Sequence, residues 1–151
     1  MGPVKPTRAS ILAALAIGVG VLSWLVVRGH YSSMPALPVV PPVTLVVLAV
    51  FEVLYAFSLR ARMRNPGNRP LEPLFVAKMA VLAKASSHTA AIVAGVYGGF
   101  LVYTLANLGK PGVNSDSRAS GLSVIASLAL IGAGLFLEYS CRVPREPDDR
   151  D

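Results

Sequence analysis

The chain has 151 residues, 54% of them hydrophobic and 15% charged, with a mean hydropathy of +0.59; this composition argues against an ordinary water-soluble domain. A net charge of +6 would point to nucleic acid in a soluble protein, but here the basic residues gather at the ends of apolar runs and indicate membrane orientation instead. The single cysteine, Cys141, excludes an internal disulfide, and with only His30 and His88 beside it the chain lacks the ligands for a four-coordinate zinc site of Cys and His, so neither a metal nor another cofactor is implied.

The first apolar run, residues 9–27, follows Lys5 and Arg8 and at 1.5 Å per residue approaches the ~30 Å of a bilayer core. It reads as a retained anchor. A signal peptide would have a shorter apolar core and a small-x-small cleavage site, which Val26-Val27-Arg28-Gly29-His30 does not provide. The second run, residues 43–59, starts after Pro41-Pro42, where proline suits a first helical turn, and is closed by Arg60 and Arg62. An amphipathic lead-in, residues 71–84, precedes the third run, residues 85–105; no breaker follows Pro73, so one long helix is expected. Residues 107–120, rich in Gly, Asn and Ser, read as a flexible loop before the fourth run, residues 121–137. A charged tail, residues 138–151, closes the chain. The expected fold is all-α, an integral membrane four-helix bundle forming a single polytopic domain over residues 1–151.

Orientation follows from the basic residues, which are retained on the cytoplasmic side of a membrane. Eleven of the fourteen lie on one side: Lys5, Arg8, Arg60, Arg62, Arg64, Arg69, Lys78, Lys84, Arg142, Arg145 and Arg150. Only Arg28, Lys110 and Arg118 lie on the other. A multi-pass plasma-membrane protein with both termini cytoplasmic is therefore expected. The inner-surface group Arg60, Arg62, Arg64 and Arg69 could meet anionic lipid or an acidic partner, although the positive-inside effect alone would place such a loop there.

Glu52 is the most informative residue, about 10 Å inside the cytoplasmic end of the second span. An ionised side chain at a helix centre costs about 2.5–3.5 kcal/mol on insertion scales, so the carboxyl should be protonated, paired, or turned to a wet cavity. It is either a proton- or cation-binding group or one half of a structural pair, and a single intramembrane acid fits the second more readily. Lys84 and His88, spaced i, i+4, are its candidate partners on the third span. Lys84 could equally snorkel into headgroups, and His88 could share a proton with Glu52 or bond a neighbouring helix. The same face continues through Ala91, Gly95 and Gly99, a small-residue stripe for close helix packing within the chain or between two copies. Ser120, Ser123, Ser127, Gly134 and Glu138 form a comparable stripe on the fourth span, and Ala9, Ala13, Ala16, Gly20 and Ser23 one on the first.

Glu52, Leu71-Glu72-Pro73-Leu74, the run Leu82-Ala83-Lys84-Ala85-Ser86-Ser87, Gly99-Phe100-Leu101-Val102-Tyr103 and the ending Leu137-Glu138-Tyr139-Ser140-Cys141-Arg142 together carry a resemblance. The chain resembles, over essentially its whole length, a family of small actinobacterial four-span membrane proteins of unknown function, often encoded near folate-biosynthesis genes. The resemblance implies no activity. By position, Glu52, Lys84, Ala85, Ser86, Cys141 and Arg142 match the family's pattern; at Tyr139 and Ser140, where relatives tend to have His-Cys, this chain departs from it.

Without a complete catalytic set, an enzyme is not expected: Ser86, Ser87 and His88 crowd one helix with no facing nucleophile. The expected function is that of a non-catalytic accessory or scaffold protein, its partners the lipid bilayer and a membrane protein or second copy. The alternative is a small proton- or cation-coupled transporter or channel component using Glu52.

Overall fold

The computed structural model describes residues 9–33, 40–64, 73–110 and 112–141. Four helices account for nearly all of them: α1 (Ala9–His30), α2 (Val40–Arg64), α3 (Pro73–Ala106) and α4 (Val113–Ser140), with a short 3-10 turn at Tyr31–Ser33 after α1. All four are long and apolar enough to cross a membrane. The fold is all-α, and no strand occurs among the described residues.

The helix starts follow from local chemistry. Pro41 and Pro42 sit in the first turn of α2, and Pro73 opens α3, positions where the missing N–H breaks no intrahelical bond. At its far end α3 is capped by Asn107, whose side-chain amide donates to the Tyr103 carbonyl at 2.8 Å. The connection to α4 is short: Gly109 and Gly112 take φ of 121° and 84°, the left-handed region open to glycine. Helix α4 therefore begins at Val113, and much of the stretch expected as a loop, residues 113–120, is helical. Composition misled here because Asn, Ser and Asp favour turns by hydrogen-bonding nearby backbone. In α4 that capacity is turned onto the helix itself: Asp116 lies in the positive first turn, and Ser120 donates to the Asp116 carbonyl at 2.7 Å.

The main interfaces join α1 to α3, α3 to α4, and α4 to α2, giving a succession of neighbours that differs from the chain order. Helices α1 and α3 run parallel, with Ala16 and Gly20 of α1 against Gly95 and Gly99 of α3. A Cβ on Gly95 would lie 2.5 Å from the Ala16 carbonyl oxygen, and one on Gly99 equally 2.5 Å from that of Gly20, so only glycine permits this approach. Ser23 donates across the seam to the Val96 carbonyl at 2.8 Å. The stripe of small residues on α3 is thus occupied by α1 of the same chain. On α1 the buried positions are Leu12 and Val27; Ala9 and Ala13, expected on the packing stripe, are exposed, because the face in use passes through Leu12, one residue around the helix from Ala13.

On the far side of the bundle, Ala49, Ala90, Leu130 and Ala133 form one buried cluster, and Ala56, Leu59, Ala83, Leu137 and Cys141 another nearer the helix ends. At the opposite end, Tyr31 packs against Tyr103 in a tilted pair with ring centroids 4.9 Å apart and donates a hydrogen bond from its hydroxyl to Asp116 at 2.8 Å. This contact ties the end of α1 to α3 and α4. Burial from water and the nearby Asp116 carboxylate, which accepts the phenol's hydrogen bond, push the phenol up to about 12.

Candidate functional site

The candidate site is the three-helix junction around Glu52. Glu52 lies on the α4-facing side of α2 with Ala49 and Ala56, one turn on either side, and only 4% of its surface is exposed. Its carboxylate reaches the contact of α4 with α3 at Gly134. A Cβ on Gly134 of α4 would collide with the Ser87 hydroxyl, lie 3.0 Å from the Ala83 carbonyl and lie 3.3 Å from Glu52 Oε2. Gly134 thus opens the space that the carboxylate fills.

The neighbouring hydroxyls are already committed. Ser87 donates to the Ala83 carbonyl at 2.8 Å, and Ser86, which adjoins the carboxylate, donates to the same carbonyl at 3.1 Å. Neither oxygen of Glu52 has a hydrogen-bond partner among the described residues. Among the described residues no ion pair joins Glu52 to Lys84 or His88. His88 turns its Nδ1 to the Lys84 carbonyl, 2.7 Å away in its own helix, and Lys84 is half-buried. The sequence reading placed those two as partners by helical depth; the hydroxyls of Ser86 and Ser87, between them in sequence, are the groups brought to the junction.

A second buried acid lies one helical turn beyond Gly134. Glu138 is 6% exposed, on the α4 face that also buries Ser120, Ser123, Ser127 and Gly134. The sequence places Glu138 both at the start of the charged tail and, by its i, i+4 spacing from Gly134, on this inward-turning stripe, and the structure buries it with the stripe. Ser123 and Ser127 are fully buried and return their hydroxyls to the carbonyls of Ala119 and Ser123, at 2.8 and 2.7 Å. They pack as small residues with their polarity satisfied locally. Cys141 caps α4, and burial, with Glu138 adding to it, pushes its thiol up. Arg60 and Arg62 are exposed at the end of α2, Arg64 is the last residue of that helix, and Arg69 lies outside the described residues.

Chemically, the junction offers a carboxyl group shielded from water, surrounded by small side chains and carbonyl oxygens. It could take up or release a proton, and the tight contact at Gly134 fixes its position. Comparison with curated proteins and with solved structures finds no match. A family profile matches residues 12–145, and the chain accordingly belongs to the family described as protein of unknown function (DUF3180).

Proposed function

We propose that this chain is a non-catalytic accessory or scaffold protein of the plasma membrane, with both termini cytoplasmic, working through association with another membrane protein or a second copy. One observation carries the reading: the end helices are sparsely covered. Within α1 only 11% of the most apolar window is buried, against 44% for α4. Ile17, Val21 and Leu22 on α1, and Val46, Val50 and Phe57 on α2, are exposed. Lipid covers such faces, and because lipid and a partner helix are equally apolar, close packing alone decides which one stays. On the strength of the resemblance, we assign the protein to an actinobacterial membrane and a gene neighbourhood of folate biosynthesis.

Glu52 favours a second reading, a small proton- or cation-coupled transport component. A buried carboxylate without an ion pair is a poor structural device, since removal of water from it is not offset by a partner. The experiment that separates the readings is gentle affinity purification of the tagged protein from its native membrane with native mass measurement. The accessory reading expects a stoichiometric membrane-protein partner or a defined homo-oligomer. A monomer accompanied only by lipid would overturn it.

A further inference from the structure

Where α2 ends and α3 begins, the two helices part over Leu137 of α4 and leave a cavity of about 110 Å³. Its inner wall is apolar: Leu59 and Leu137 are almost fully buried, and Phe75 and Met79 of α3 face them. Its mouth is polar and cationic. Tyr55, Ser58 and Arg62, spaced three and four residues apart, lie on one face of α2 and bring a phenol, a hydroxyl and a guanidinium to the opening. Among the described residues no carboxylate lines the cavity, and none of them neutralises Arg62. The cavity lies at the end of the span Pro42–Arg62, where a helix of that length and composition would leave the membrane.

An apolar recess with an uncompensated guanidinium and a hydroxyl at its rim is complementary to an amphiphile with a negative head. A guanidinium engages phosphate through two parallel N–H donors, a geometry that an ammonium lacks, and methylenes gain by leaving the aqueous boundary. We propose that this cavity is a binding site for one anionic phospholipid, its phosphate on Arg62 and Ser58 and its first acyl carbons against Phe75 and Met79. With no carboxylate among the described lining residues to hold a choline ammonium, the site favours a net-negative headgroup over a zwitterionic one. This inference stands independently of the accessory reading.

Arg60 supplies the control. It is exposed on the same helix end but lies two residues away, about 200° around the helix, and does not line the cavity. Diffuse attraction of a basic surface to lipid would depend on both arginines alike. The full chain, purified in detergent, is offered phosphatidylglycerol or phosphatidylcholine of the same acyl length, and bound lipid is counted by native mass spectrometry. One phosphatidylglycerol per chain is expected, retained about tenfold better than phosphatidylcholine, the ratio given by ~1.4 kcal/mol. Arg62→Gln should lose about that tenfold preference, Arg62→Lys part of it, and Arg60→Gln almost none. Met79→Trp, which fills the recess without altering charge, should displace the lipid as well. Equal losses in Arg60→Gln and Arg62→Gln, equal retention of both lipids, or retention unchanged by Met79→Trp would each overturn the site.

Discussion

Alanine at Gly95 or Gly99 should loosen α1 from the bundle, although alanine is the better helix former. On Gly99 the added Cβ would stand 2.5 Å from the Gly20 carbonyl oxygen and 2.8 Å from both Ser23 Cβ and Trp24 N; on Gly95 it would stand 2.5 Å from the Ala16 carbonyl oxygen. Three of these four neighbours are backbone atoms that cannot rotate away, so α1 must retreat by about 0.9 Å to restore ordinary contact at 3.4 Å. A gap of that size forfeits about a quarter to a half of the dispersion energy along the seam. It also stretches the bond from Ser23 to the Val96 carbonyl, a class of contact worth about 0.6 kcal/mol in membranes. Overpacking costs about 1–3 kcal/mol and the propensity gain returns up to about 1 kcal/mol, so each variant should lose on the order of 1 kcal/mol. Gly98, on the same helix, has nothing within 4 Å of its virtual Cβ; alanine there should be neutral or stabilising. Trp24 is the only tryptophan and sits at the seam, so its emission during thermal unfolding in detergent reports α1 directly. If Gly95→Ala and Gly99→Ala melt at or above the wild type, as Gly98→Ala should, the packing argument is wrong.

Three further outcomes are expected. Gly134→Ala should destabilise the Glu52 junction by about 1–3 kcal/mol, and Ser87→Ala, by removing the hydroxyl that the new Cβ meets, should restore part of the loss in a double-mutant cycle of melting temperatures. Tyr31→Phe should remove the hydrogen bond to Asp116 and with it a pH dependence. Because the folded phenol is raised from 10.0 to about 12, its contribution is fully present below pH 10 and lost as pH rises toward 12; wild-type stability should fall more steeply than that of Tyr31→Phe across this window. Cys141, buried and with its thiol pushed up, should react with maleimide at neutral pH far more slowly than a cysteine introduced at exposed Ser10; equal rates would contradict its burial.

The spans were legible in the sequence because apolar length alone decides whether a helix can cross a bilayer. The start of α4 was not, since Asn114, Ser115, Asp116 and Ser117 favour a turn until their neighbours are buried against other helices: Val113 and Ser120 are both fully covered. Position along a helix was also readable, and Glu52 does lie in the middle of α2. Its surroundings were not. Lys84 and His88 were reasonable partners by depth, but which face of α3 meets α2 depends on the order of helices around the bundle, and one-dimensional spacing does not encode that order. The order α1, α3, α4, α2 turns Gly95 and Gly99 to α1 and leaves Ser86 and Ser87 for the junction. Gly134 shows the same limit. As a sequence feature it is one glycine of a stripe, and its role emerges only from the Ser87 hydroxyl and Glu52 carboxylate that crowd its missing side chain.

The central claim, that the chain acts by association and not as a transport unit of its own, is tested most directly by reconstituting the purified protein alone into liposomes. An imposed membrane potential would drive protons inward, and an entrapped pH-sensitive dye would record them for the wild type and for Glu52→Gln. The account predicts no proton flux above that of protein-free liposomes in either case. Potential-driven proton flux in the wild type that disappears in Glu52→Gln would contradict it and make the junction carboxylate a transport site.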